Sequence, residues 1–186
     1  MKLIFITVLI MGFNNLTAQN KLVADIQKTT LEWTGEKVLG KHTGTIKLQS
    51  GWIVWEDNRI KSGEFLIDML TIKSNEGLTR LEGHLRSDDF FSVEKYPVSK
   101  LVIEGSDSFE SGTAKVWGTL TIKGITNPLE FNATMQKKVD GVWFYARISV
   151  DRTLYNVRYG SGKFFDNLGD SVIYDEFKLA VSLLVR

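Results

Sequence analysis

Only two imidazoles occur in this chain, His42 and His84, and one of them lies close to carboxylates that could put it to use. His84 stands four residues before Asp88 and five before Asp89, and a histidine steered by a carboxylate is a common general base. Such a set would suit a hydrolase or isomerase, provided the side chains converge. Adjacent carboxylates on one helical turn diverge, however, and capping a helix N-terminus is the plainer role of Asp88-Asp89. No Gly-x-Ser-x-Gly elbow is present, and Gly160-Ser161-Gly162 reads as a flexible loop. No His-Glu-x-x-His spacing or phosphate-cradling glycine loop occurs, and cysteine is absent altogether. No catalytic set, metal site or cofactor is therefore expected.

Residues suited to binding are more prominent. The insert from Glu82 to Pro97 interrupts otherwise strand-like sequence with a short polar segment carrying Phe90-Phe91 and Tyr96. Two adjacent phenylalanines are costly to leave in water and should close over the end of a core or cavity. Tyr96-Pro97 should terminate the insert. Near the C-terminus, Arg152 and Arg158 alternate with Tyr155 and Tyr159, a mixture suited to a pocket rim that meets an anionic head and an apolar chain. Ion pairs of these arginines with Asp151, Asp166 or Asp170 are the structural alternative. His42, within Gly40-Lys-His-Thr-Gly44, and His84 could each donate to a polar head at a cavity mouth. Stapling a loop by hydrogen bonds is the simpler role for both.

What must position these groups is mostly β-structure. Period-two alternation dominates, as in Leu129, Phe131, Ala133 and Met135, or Phe177, Leu179, Val181, Leu183 and Val185. Leu184 breaks the second pattern. Phe65, Ile67 and Met69 form another apolar face, as do Val116, Gly118, Leu120 and Ile122. Trp52 and Trp55 should face opposite sides of their strand. Turn signals fall at Ser50-Gly51, Asp57-Asn58, Ser62-Gly63, Ser111-Gly112, Lys123-Gly124, Asn127-Pro128 and Asp140-Gly141. About eight strands follow, near 29–35, 43–49, 51–57, 60–71, 98–107, 113–123, 127–137 and 142–151. The run 172–186 adds a ninth or shares a position. The expected fold is an antiparallel eight-stranded barrel, wide enough for one small ligand, with a β-sandwich as the alternative. One helix is expected over 74–86, with Leu78, Leu81 and Leu85 on one face.

Charge and targeting narrow the function classes. Twenty-three basic against 22 acidic residues leave a net +1, with no basic cluster to meet nucleic acid. Met1-Lys2, the apolar run Leu3 to Phe13 and a small residue at Ala18 resemble a cleavable secretory signal peptide. That divides the chain into a signal peptide, 1–18, and one binding domain, 19–186. Leu16 is larger than such cut sites favour two positions earlier. The apolar run falls short of the ~20 residues that span a bilayer, so stable membrane insertion is not expected. An exported barrel is compatible with a homodimer, and no sequence feature argues for one.

Five ordered segments together resemble the YceI-like family of exported, lipocalin-like barrels. They are Lys41-His-Thr-Gly44, the insert from Gly83 to Phe91 with Tyr96-Pro97, Gly118 to Thr126, Asp151-Arg152, and Phe164 to Asp170 leading into Ile173-Tyr-Asp175. The resemblance implies an elongated barrel capped by the helical insert, a periplasmic location, and an apolar tunnel for an isoprenoid, quinone or fatty-acyl chain. On that reading Phe90, Phe91 and Tyr96 are cap contacts, and His42, His84, Arg152, Tyr155 and Arg158 are candidate mouth contacts. The alternatives are a hydrolase or isomerase acting on a lipid-like substrate, and a protein-interaction barrel filled with side chains.

Overall fold

The computed structural model of this protein describes residues 20–186; the expected signal peptide and its cut lie outside them. The strands are β1 (Lys21–Val23), β2 (Thr30–Lys37), β3 (Lys41–Glu56), β4 (Arg59–Ser74), β5 (Val98–Ser106), β6 (Thr113–Ile122), β7 (Ile125–Lys138), β8 (Gly141–Asp151) and β9 (Ile173–Val185). One helix, α1 (Thr79–Arg86), follows β4. Neighbours run β1-β3-β2-β9-β8-β7-β6-β5-β4, and β4 returns to β3 in an antiparallel ladder from Gly44↔Ser74 to Glu56↔Arg59. That ladder closes the sheet into an eight-stranded barrel and excludes a sandwich. β1 pairs with β3 at Trp52–Val54, beyond the part of β3 covered by β2, and Ala24 bridges to Val185 of β9. β1 and β2 thus share one position in the ring.

The eight strands are assembled differently from the sequence expectation. Segments 43–49 and 51–57 are one strand, β3, and the 172–186 run supplies a full wall strand, β9. Gly51 does not turn the chain. It faces Phe65 across the ladder, where an added Cβ would lie 2.3 Å from the ring, so its role is to admit that aromatic side chain. Ser62-Gly63 and Asn127-Pro128 also lie inside strands. True hairpin turns occur at Asp57-Asn58, with φ of 51° and 56°, and at Lys123-Gly124, with φ of 51° and 73°. Positive φ at both central residues matches the right-handed twist of the flanking strands.

The helix is shorter than expected because Ser74 still pairs with Gly44 in the β3–β4 ladder. Leu85 is buried and Leu81 packs against the core, but Leu78 is the N-terminal cap and is exposed. Two contacts fasten α1 to β4: Ser74 N donates to Glu82 Oε1 at 2.9 Å, and Arg86 Nη2 donates to the Ile72 carbonyl at 2.7 Å.

Alternating inward residues build two core clusters, one under α1 and one at the opposite end. Trp55 faces inward against Phe109 and Phe144, whereas Trp52 lies outside beneath Lys21, as alternation predicts. The break at Leu184 marks an outward residue that is nonetheless buried, lying against Gly141 at the β7–β8 turn. Asp140 in that turn accepts hydrogen bonds from Trp143 Nε1 at 3.0 Å and Lys28 Nζ at 2.9 Å. These partners lower its carboxyl pKa from 3.8 to about 2. A depressed pKa stabilises the fold fully above the unfolded value and loses that contribution as pH falls through the folded one. Asp140→Asn is therefore expected to flatten the decline in stability between those two pH values, measured by denaturant titration. An unchanged acid limb would refute this role.

Candidate functional site

The barrel interior contains two apolar chambers. The first, of about 120 Å³, lies beneath α1 among Trp33, Ile72, Leu85, Phe90, Phe91 and Phe177. The second, of about 110 Å³, lies deeper among Ile53, Ile60, Ile103, Val116, Phe144 and Leu183. Ile67, Leu120 and Leu179 border both, so these three side chains form a waist between the chambers. On β9 the lining extends from Ile173 to Leu183. At ~3.4 Å per residue and a tilt near 40°, that corresponds to roughly 26 Å along the barrel axis.

Rings close both ends. At the deep end the ring centroids of Trp55, Phe109 and Phe144 lie 5.4–5.7 Å apart. At the other end Phe90 meets Phe91 edge-on at 5.1 Å, and Phe91 meets Phe177 at 6.3 Å. The chain after α1 is folded inward by backbone bonds: the Ser87 carbonyl accepts from Phe90 N at 3.1 Å and Ser92 N at 2.8 Å. Ser92 adopts φ 48°. Ser87 thus caps the C-terminus of α1, and Asp88 and Asp89 are exposed instead of capping a following turn.

Of the eight candidate contacts, Phe90, Phe91 and Arg152 border the first chamber. His84 packs against Phe90 at 5.5 Å and Tyr159 at 4.3 Å, with Nε2 buried and without a hydrogen-bond partner. That placement gives it no carboxylate at Nε2. His42 stands apart at the start of β3, its Nδ1 3.8 Å from Glu76 Oε2. The Ser74 hydroxyl donates to Glu76 at 2.6 Å and is the main cause holding this carboxyl below its usual range. Tyr96 borders neither chamber and lies half-buried beside Gly124, and Arg158 lies on the surface with its guanidinium 4.6 Å from the Phe164 ring. Tyr155 is 1% exposed and belongs to the core; burial pushes its phenol pKa up, assisted by Asp151.

Arg152 differs most from its expected role. It is 2% exposed, and its nearest carboxylate is Asp175 at 3.8 Å, not Asp151, Asp166 or Asp170. Its guanidinium donates to four backbone carbonyls: Nε to Tyr174 at 3.1 Å, Nη1 to Val157 at 2.8 Å and Tyr159 at 2.9 Å, and Nη2 to Ile173 at 2.9 Å. Burial pushes its pKa down, opposed by Asp175 and Asp151. The local chain is shaped to supply those carbonyls. Asp151 accepts from Thr153 N at 2.9 Å, starting a 3-10 turn, and Asn156 at φ 58° ends it. With these donors committed inside the protein, Arg152 is the keystone of the loops around the first chamber and offers little to a free anion.

Sequence reasoning missed the waist residues Ile67, Leu120 and Leu179. Alternation placed all three on inward faces, but it cannot distinguish a side chain that fills the axis from one that borders a void. Among the described residues, no group of three His, Cys, Asp or Glu side chains is placed to hold a metal ion. No helix among them is long and apolar enough to cross a membrane.

Residues 22–185 match the YceI-like domain family. A UPF0312 protein of Pseudomonas putida is 30% identical over 110 residues, covering 59% of this chain and 57% of that relative. The chain thus aligns with little more than half the length of such curated relatives. Burkholderia cenocepacia BcnA superposes with a TM-score of 0.74 at 20% identity, covering 88% of this chain and 99% of BcnA. A polyisoprenoid binding domain from Saccharophagus degradans, implicated in plant cell wall breakdown, gives 0.69 at 15% identity, covering 90% and 98%. A Campylobacter jejuni YCEI protein gives 0.57 at 21% identity, covering 72% and 78%. At these identities the structural matches establish a shared fold.

Proposed function

Because this chain belongs to the YceI-like family, we propose that its barrel binds one apolar lipid chain along its axis and carries it through the bacterial periplasm. The isoprenoid, quinone and fatty-acyl classes all fit an unbranched path of this kind. The observation that carries the reading is the pair of adjoining chambers, walled almost entirely by aliphatic and aromatic side chains. A well-packed core leaves few voids, and an unfilled cavity near 120 Å³ sacrifices about 3 kcal/mol at ~24 cal/mol per Å³. A ligand that fills both chambers recovers that loss. A chain of about 30 heavy atoms, at ~0.3 kcal/mol per atom, would gain ~9 kcal/mol, which corresponds to sub-micromolar affinity without a strong polar anchor. The two chambers as they stand hold only about ten heavy atoms, so the lining side chains must move apart to admit a chain of that length. The polyisoprenoid binding named for the Saccharophagus domain supports this ligand class. The charged start, apolar run and Ala18 of the N-terminus support the periplasmic location.

Native mass spectrometry of protein purified from its own source, followed by organic extraction, tests the proposal. A stoichiometric isoprenoid, quinone or acyl mass is expected. Protein that arrives empty and takes up no added lipid would overturn it and favour a protein-interaction barrel.

A further inference from the structure

The β2–β9 ladder contains a gap at the first chamber. Pairing is continuous from Thr30↔Ser182 to Gly35↔Phe177, then resumes at Lys37↔Ile173. Between those two pairs β2 advances by two residues and β9 by four, leaving Tyr174, Asp175 and Glu176 opposite Glu36 alone. A bulge of this kind locally interrupts the wall of a sheet. Arg152 holds the interruption in place, because the carbonyls of Ile173 and Tyr174 turn to its guanidinium. Val38 N donates to the Val172 carbonyl at 3.2 Å beyond the gap, and Lys178 pairs with Glu36, the residue left unpaired within it, at 3.0 Å.

The chamber reaches this gap. Tyr174 and Glu176 alternate with the inward Ile173 and Phe177 and so face outward, yet all four border the first chamber together with Gly35. Gly35 has the inward parity of Trp33, and a Cβ built on it would meet no atom within 4 Å. Its φ lies outside the left-handed region, so the backbone does not require glycine there; the consequence of glycine is open space. Tyr174, which borders the chamber, is 49% exposed at the outer lip. The obvious alternative route is past the cap, where Leu85, Phe90 and Phe91 are all buried in mutual contact with the core.

We infer that the lipid chain is threaded into the barrel sideways, through the β2–β9 seam at Gly35, and not past the Phe90-Phe91 cap. The inference rests on the lipid-binding reading. The Gly35 gap sets the width of chain that passes, and the buried Arg152 positions its β9 lip.

The test is stopped-flow transfer of an anthraniloyl ester of geranylgeraniol from phosphatidylcholine vesicles to the protein, comparing Gly35→Val, Gly35→Phe and the unaltered chain. Because the space beside Gly35 is open, both variants should fold, and a thermal melt checks each. A narrowed portal slows passage in both directions, so association and release should both fall, by about tenfold for Gly35→Phe and less for Gly35→Val. A side chain that merely took up ligand space would leave association unchanged and speed release. That result, or unchanged rates in both variants, would overturn the portal while leaving lipid binding intact. No uptake by the unaltered protein would remove the lipid-binding reading itself, and the portal with it.

Discussion

Replacing Arg152 with methionine is expected to lower the stability of the barrel by about 3–5 kcal/mol, although methionine can fill much of the same volume. The cause is the orphaning of four carbonyls. Val157, Tyr159, Ile173 and Tyr174 all accept from this guanidinium, and a buried acceptor left without a donor costs its full desolvation. Asp175 would also lose the cation that faces it at 3.8 Å. Arg152→Lys should recover only a minor part, because an ammonium offers a compact charge where this site uses a planar fork. Urea unfolding of both variants at constant m-value provides the measurement. A loss below about 1 kcal/mol would mean that water or neighbouring groups replace the guanidinium, and the keystone role would be untenable.

Leu120→Trp is expected to divide ligands by length. Leu120 borders both chambers at the waist, so a larger ring there should separate the deep chamber from the one beneath α1. A long prenyl alcohol would lose the carbons it places in the deep chamber. At ~0.8 kcal/mol per buried CH₂, four such carbons already correspond to a loss of more than about 100-fold in affinity. A short chain confined to the first chamber should change by no more than about threefold, because all its contacts except the one with residue 120 remain. Titration calorimetry with alcohols of increasing length would show the break. Equal weakening at every length would refute two chambers in series, and no weakening would place the ligand elsewhere.

The site was partly legible in the sequence, for a physical reason visible at individual residues. Phe90 and Phe91 could be assigned to an end cap because adjacent phenylalanines in a polar segment have few alternatives to burial, and both border the first chamber. Arg152 reads from the sequence as a pocket-rim candidate alongside Arg158, and its partners could not be read. Backbone carbonyls carry no sequence signature, and those of Ile173 and Tyr174 reach Arg152 from more than twenty positions away. Tyr155 and Arg158 are near neighbours in sequence, yet the 3-10 turn sends one into the core and the other to the surface. His42 and His84 occupy separate parts of the fold, one beside Glu76 and one against Phe90 and Tyr159.

Much of the wall was determined by the sequence alone. Period-two alternation in β6, β7 and β9 is a local consequence of the pleat, so Val116, Leu120, Phe131 and Leu179 had to share the inside. The tight turns at Asp57-Asn58 and Lys123-Gly124 are local as well, because Asp57, Asn58 and Gly124 tolerate positive φ; Lys123 takes it without that preference. Tertiary structure decided three things that alternation leaves open. The β3–β4 ladder determined that the sheet closes instead of splitting into two layers. The approach of Phe65 determined that Gly51 continues a strand instead of turning one. Finally, the meeting of side chains from all eight wall strands determined that the axis remains partly empty. An inward position reports direction, whereas a cavity is the volume remaining after distant segments have packed around a common axis.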